Sequence, residues 1–257
     1  MKKTNYIVFI LIIAIFSCTD TQKYREIKTA FKNTNLTDTA INIDSIFSQL
    51  PDYNDFIQPL KLSKSFNPHS LHPILSDSKA LQIKTNAFLL GVYITDLGYA
   101  RHYEQVNICM SYLPEIQRLS SEVGIPTSQF DDLLLASENA LESKDKMFQL
   151  FDSLYSQTTK YFQENEMYAI ASILSAGVWT ETLKIILEIN FEEKTKSEII
   201  KKHFTELETL IKVLNAFKND EFISNINLNL AELEQKKLDE ENCKSLINIF
   251  YLNFNIL

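Results

Sequence analysis

The chain has 257 residues, with 25 Lys and Arg against 33 Asp and Glu, a formal net charge of -8, and only 4 Gly and 6 Pro. The acidic balance argues against a nucleic-acid partner, whose phosphates need a basic face, and so few glycines practically exclude a backbone cradle for phosphates. Three cysteines do not make a disulfide framework, and the scarcity of turn residues disfavours a β-sandwich or an α/β sheet.

The first element is the stretch "MKKTNYIVFILIIAIFSCTD". Lys2 and Lys3 form a positive end, Tyr6 to Phe16 an apolar run, and Ser17 a small residue before Cys18, which is the pattern of an export signal. The apolar run is shorter than the roughly 20 residues a spanning helix needs. Ile15 and Phe16 spoil an A-x-A cleavage site, whereas a cysteine directly after Ser17 looks like the lipobox of bacterial lipoproteins. That likeness implies cleavage before Cys18 and acylation of its thiol and amine, and two or more acyl chains hold a protein stably on a bilayer. Removing residues 1–17 takes away Lys2 and Lys3 and leaves a mature charge of about -10. Residues 18–40 are polar and read as a lipidated Cys18 and a tether, with a short helix around Tyr24 to Phe31. Residues 41–257 are long enough to bury one substantial core.

The periodicity of that domain is helical. Met147, Phe151, Leu154 and Tyr161 keep helix spacing, as do Ile200, Phe204, Leu207, Ile211 and Leu214, and then Ile223, Ile226, Leu230 and Leu233. Gly124 and Pro126 stop one helix, and Ser128 with Asp131 marks the next N-cap. The expected helices are 41–49, 78–102, 104–123, 129–142, 145–163, 166–189, 195–218 and 221–239. The tail "SLINIFYLNFNIL" alternates partly like a strand but has no evident partner strand, so it too is read as helix. The fold class is therefore all-α, a single bundle of about seven or eight helices. One long irregular segment, with Pro51, Pro59, Pro68 and Pro73, separates the first two helices. Such segments often carry function, which makes it the best candidate for a surface contact, although packing over the core is the commoner fate. A tetratricopeptide-like placement of Tyr, Ala and Leu after Tyr99 has no second copy at the required period, so a solenoid is rejected.

Chemistry-bearing residues concentrate in "LLGVYITDLGYARHYEQ", residues 89–105. On a helix, Val92, Tyr93, Asp96, Tyr99, Ala100 and Tyr103 share a face, and Gly91, Thr95 and Gly98 form a stripe of small residues. A matching stripe, Ser172, Ala176 and Thr180 with Gly177 beside it, lies in a stretch that is apolar nearly all round. The two helices are expected to pack against each other in the core, with Asp96 at or near their interface. A buried carboxylate must be paired, protonated or solvated. Asp96 is read first as a structural acceptor, with Trp179 Nε1–H, a tyrosine hydroxyl, Arg101 or Lys184 as partners. The alternative is a ligand site lined by Asp96, Tyr93, Tyr99, Trp179 and Glu181, and a catalytic acid is the least favoured role. Glu181, with Lys184 at i+3 and Glu188 beyond, reads as a solvated ion-pair stripe. His69 and His72 make only a weak H-x-x-H metal pattern, His102 suits a helix end, and His203 borders an apolar seam. Cys109 and Cys243 are expected to be two buried thiols, with one bridge between them, which export to an oxidising compartment permits, as the alternative. With no G-x-S-x-G, H-E-x-x-H or C-x-x-C-H, no catalytic residue, metal or cofactor is assigned, and an enzyme is disfavoured.

"GVYITDLGYA" (Gly91 to Ala100) with Tyr103, then Tyr112–Leu113, then "GVWTETL" (Gly177 to Leu183) together resemble a family of uncharacterised helical lipoproteins from Bacteroidota. That family pairs a G-V-Y-x-x-D-L-x-Y-A helix with a G-x-W-x-E helix behind a lipobox. The likeness covers roughly residues 80–190, and Lys184 stands where such sequences often carry Tyr. It implies location and fold rather than an activity. The expected protein is a membrane-anchored interaction or accessory protein of the cell envelope, held on a bacterial membrane, the outer one in preference, and facing periplasm or surface. Its expected partners are the bilayer, through acylated Cys18, and an envelope protein. The competing reading is a helical bundle binding a small ligand near Asp96 and Trp179.

Overall fold

A computed structural model describes residues 22, 24–31, 42–50, 53–75, 82–126, 144–236 and 239–256. The signal and lipobox, the helix expected at 129–142 and its N-cap therefore lie outside the described residues. Among the described residues there are ten helices and no strand, so the chain is all-α. They are α1 (24–31), α2 (Ile43–Phe47), α3 (Tyr53–Ile57), α4 (Ile83–His102), α5 (Val106–Glu122), α6 (Lys144–Glu164), α7 (Tyr168–Glu188), α8 (Glu193–Asn215), α9 (Glu221–Gln235) and α10 (Glu240–Asn253). The count exceeds the expected seven or eight because the short helices α1 and α3 and the tail helix α10 add to the expected list. Prolines break up the 50–75 segment: Pro59 and Pro68 each open a 3-10 turn, Gln58–Leu62 and Pro68–Ser70, where a missing N–H costs nothing. The tail is helix, as expected.

Three helix starts follow cap chemistry. Asn42 accepts from Ser45 N, Asp220 from Phe222 N and Ile223 N, and Asp239 from Asn242 N. The ends are less ordinary. After α5, Gly124 takes φ 92°, and the Ile125 amide returns to Ser120 O at 2.9 Å. The same wrap follows α4, α6 and α10, but with Glu104 (φ 55°), Glu166 (φ 59°) and Asn255 (φ 56°) in the left-handed position. Two of those three are residues that resist this conformation by roughly 1–2 kcal/mol each, so the flanking helices dictate the turns.

α4 and α7 cross at the centre. Gly91 and Gly177 face each other so closely that a Cβ on Gly177 would stand 2.1 Å from Phe88 O, and one on Gly91 2.2 Å from Leu174 O. α5 and α6 pack on α4, while α8 and α10 pack on α7 and α9 closes against α8. α7 is long and apolar enough to cross a membrane by length and composition, but 94% of its apolar window is buried inside the fold. It is the core helix. The proline-rich segment lies over α4 and α7 and buries Phe56, Ile57, Pro59, Leu60, Ser70 and His72.

Candidate functional site

The face of α4 that carries Tyr93, Asp96, Tyr99 and Tyr103 holds down the proline-rich segment by its backbone. Asp96 Oδ2 accepts from His72 N at 3.0 Å. The Tyr93 hydroxyl accepts from Leu75 N at 3.0 Å and donates to Pro73 O at 3.3 Å. The Tyr99 hydroxyl accepts from Asn67 N at 3.0 Å, and Tyr103 donates to Ser63 O at 2.7 Å. From α5, Tyr112 donates to His72 O at 2.5 Å, and from α7, Lys184 donates to Ser70 O at 2.9 Å. Irregular backbone laid over a core strands its N–H and C=O groups, and each of these side chains supplies a partner for one or two of them.

Beneath the segment the polar groups converge on one another. Asp96 and Glu181 are both 0% exposed, and the Glu181 carboxylate sits against the Asp96 carboxyl. Lys184 Nζ, on a side chain 12% exposed, donates to Glu181 Oε1 at 2.9 Å, and the Tyr251 hydroxyl donates to Glu181 Oε2. Burial, and then the charge of Glu181, push the Asp96 pKa well above the carboxylate range; Lys184 and the His72 amide pull the other way without prevailing. Asp96 therefore keeps its proton. Burial disfavours the Lys184 ammonium, but the carboxylates, Glu181 first, outweigh it and hold its pKa above the ordinary value. Burial also pushes the Tyr251 hydroxyl far up and Tyr93 up to about 12, so both stay neutral. His72, lowered by burial, is a neutral ring whose Nε2–H donates to Ile256 O at 2.5 Å.

The sequence-derived candidates divide accordingly. Asp96, Tyr93 and Glu181 meet in this cluster, and Tyr99 lies further along the same seam against Phe66 at a ring-centroid distance of 5.1 Å. Trp179 faces the other way. Its ring stacks on His203 at 4.7 Å, and its Nε1–H donates to His203 O at 3.1 Å rather than to Asp96. Arg101 pairs with Asp152 at 2.8 Å and is likewise no partner of Asp96; of the partners considered, Lys184 and the tyrosines Tyr93 and Tyr112 lie beside Asp96. Glu181 does pair with Lys184, but the pair is buried rather than a solvated stripe, because α7 is enclosed on every side. His72 is buried and His69 exposed, so the two do not converge; among the described residues no group of three or more His, Cys, Asp or Glu could hold a metal. His203 is packed against Trp179, and Cys109 and Cys243 are buried free thiols.

Tyr112, Tyr251, Ser70 and the Ile256 carbonyl were not singled out from the sequence as parts of this cluster. A tyrosine inside the apolar run of α5 was a usable signal, since a buried hydroxyl must find an acceptor. Tyr251 and Ile256 gave none. The two surface grooves described, about 620 Å³ beside Phe31, Ile83 and Phe222 and about 390 Å³ beside Leu62 and Phe191, are not lined by Asp96, Glu181 or Trp179. No family model matches the chain, and no curated protein or solved structure is significantly similar to it.

Proposed function

We propose that the protein is a lipid-anchored accessory protein of the bacterial cell envelope, fixed to a membrane by acylated Cys18 and acting through contact of its helical body with another envelope protein. The observation that carries this reading is the order Lys2–Lys3, apolar run, Ser17–Cys18 at the N-terminus. The likeness of Gly91–Ala100 and Gly177–Leu183 to helical lipoproteins points the same way. The buried cluster adds support: Tyr93, Tyr99, Asp96 Oδ2 and Glu181 are engaged with the chain's own backbone or with Lys184 and Tyr251, a structural use rather than a catalytic one. The test is Cys18→Ser, followed by labelled fatty acid and by fractionation, with crosslinking of the wild type in its native envelope to recover the partner. A variant that takes up as much label and stays with the membrane as the wild type does would refute the anchor.

A second reading, a bundle that binds a small polar ligand near Asp96 and Trp179, has one observation in its favour: His72 Nδ1 and Asp96 Oδ1 are both buried in this cluster with no hydrogen-bond partner. A compound that raises the melting temperature of the wild type but not of Asp96→Asn would favour it.

A further inference from the structure

The tether read from the sequence is shorter in the fold than in the chain. α1 is docked on the body: Ile27 and Phe31 are buried, and Ile27 lies against Gly124. The Tyr24 hydroxyl meets Ser121 Oγ at 3.4 Å, and Lys28 Nζ donates to Asn165 Oδ1 at 2.8 Å. Spaced i and i+4, Ile27 and Phe31 form one apolar face, and Arg25, Glu26, Lys28 and Thr29 remain exposed. The contacts place α1 across one end of the bundle, where α5 and α6 finish and α4 and α9 begin; Phe31 shares a groove with Ile83, Lys84 and Phe222. At the opposite end α4 finishes, the 50–75 segment meets α7, and Glu192 before α8 pairs with Lys64 at 3.6 Å. The 20 residues of α4 put about 30 Å between the two ends.

We propose that the α1 end of the bundle is the membrane-facing surface, held against the lipid headgroups by α1, with the α8 N-terminal end turned away from the bilayer. The proposal rests on the reading of Cys18 as the acylated residue. Only residues 19–23 separate Cys18 from Tyr24, and six steps of fully extended chain span at most about 20 Å. The α1 end is therefore held within that distance of the headgroups, while a body joined only at α2 would have more than twenty residues of leash. The exposed Arg25 and Lys28 suit lipid phosphates, and the acidic remainder of the mature chain is kept from them. Glu26, Glu164 and Glu166 are also exposed at this end, so the short leash and the docking of α1, rather than charge alone, set the orientation.

The experiment uses the acylated full-length protein in vesicles of phosphatidylethanolamine and phosphatidylglycerol that carry a headgroup quencher. A fluorophore is placed at Glu164→Cys, beside α1, or at Lys194→Cys, at the far end; both positions are exposed, and Cys109 and Cys243 are buried. The expected result is quenching several-fold stronger at position 164 than at position 194. Ile27→Asp, which undocks α1, should bring position 164 down to the level of position 194 with acylation unchanged. An insertion of about 20 Gly and Ser residues after Thr21 leaves the body untouched, adds a coil of about 25 Å, and should do the same. Equal quenching at both positions in the acylated wild type, or a difference that survives the insertion, overturns the orientation while leaving the anchor in place. Absence of labelled fatty acid on Cys18 overturns the anchor, and the orientation with it.

Discussion

Gly177→Ala is the sharpest test of the central crossing. The added methyl would stand 2.1 Å from Phe88 O, 3.0 Å from Phe88 C and 3.4 Å from Gly91 Cα, all backbone atoms of α4. A carbon and a carbonyl oxygen settle no closer than about 3.3 Å, so α4 and α7 must part by about 1 Å over their contact. No rotamer change relieves the overlap, because neither partner is a side chain. A gap of 0.5–1 Å forfeits roughly a quarter to a half of each dispersion contact along a seam whose residues are almost all fully buried. Overpacking of this kind costs about 1–3 kcal/mol and more when the backbone itself is in the way. Alanine's better helix propensity returns about 1 kcal/mol. With the overpacking at the upper end of that range, we expect a net loss of about 2 kcal/mol, which for a body of this size lowers Tm by roughly 4–8 °C. Urea melts followed by far-ultraviolet circular dichroism would measure it, with the m-value unchanged. Gly91→Ala should behave likewise, and the double variant should lose less than the sum, since helices already parted admit the second methyl more easily. A Gly177→Ala protein as stable as the wild type, or more so, would show that these helices do not cross here.

Asp96→Asn keeps an acceptor for the His72 amide and offers an N–H to Glu181, so it should match the wild type at neutral pH within about 1 kcal/mol, whereas Asp96→Ala strands the His72 amide and should cost about 1–3 kcal/mol. Because the folded-state pKa of Asp96 is raised, the folded protein binds that proton more tightly than the unfolded chain. Stability should therefore fall as pH rises from about 4 toward the raised value, and Asp96→Asn should flatten that slope in urea melts at about pH 5 and about pH 8. His72 works in the opposite sense: its folded-state pKa is lowered, so stability should drop as pH falls below about 6.5, with the imidazole remaining neutral by NMR while the protein stays folded. Glu181→Gln leaves the Lys184 ammonium without its buried counter-charge and should cost about 3–5 kcal/mol, part of it recovered when Lys184→Met is added. Cys109, whose thiol burial raises to about 12, should react with a thiol reagent only at the rate of global unfolding; prompt labelling of the native protein would contradict its placement.

How legible these features were depended on how local they are. The pairing of α4 with α7 could be read because small residues recur at helix spacing on both, and a stretch apolar all round can only sit in the centre. The crossing itself was read one residue off: the stripe Ser172, Ala176 and Thr180 runs beside the true contact, where Gly177 meets Gly91. Glu181 was misread for a reason visible in hindsight. Its spacing to Lys184 and Glu188 imitates a surface ion-pair stripe, but a helix enclosed on every side has no solvated face to carry one, and the two readings of α7 could not both stand. The partners of Asp96 and His72 were out of reach for another reason. His72 N lies 24 residues from Asp96, and Ile256 O lies 184 residues from the His72 ring, and no periodicity relates positions so far apart. α1 stands between these cases: a short helix was expected at Tyr24 to Phe31, and Ile27 and Phe31 at i and i+4 were a local sign that it docks, but nothing local said where.

The charge balance of the cluster explains why a fold this apolar carries it at all. With Asp96 protonated, His72 neutral, and Tyr112 and Tyr251 un-ionised, the charges left in the cluster are those of the Glu181–Lys184 ion pair, which cancel. Neutrality makes burial tolerable, but an apolar set of equal volume would be tolerable too, and often more stable. What an apolar set could not do is fix the proline-rich segment. Its amides and carbonyls at Asn67, Ser70, His72, Pro73 and Leu75 would be left without these partners. The side chains of Tyr93, Asp96, Tyr99, Tyr112 and Lys184 select one placement by meeting those groups one by one. The carboxylate that stood out in an apolar helix is there because the backbone above it is not helical, and a segment that cannot satisfy its own hydrogen bonds needs polar partners from the layer below.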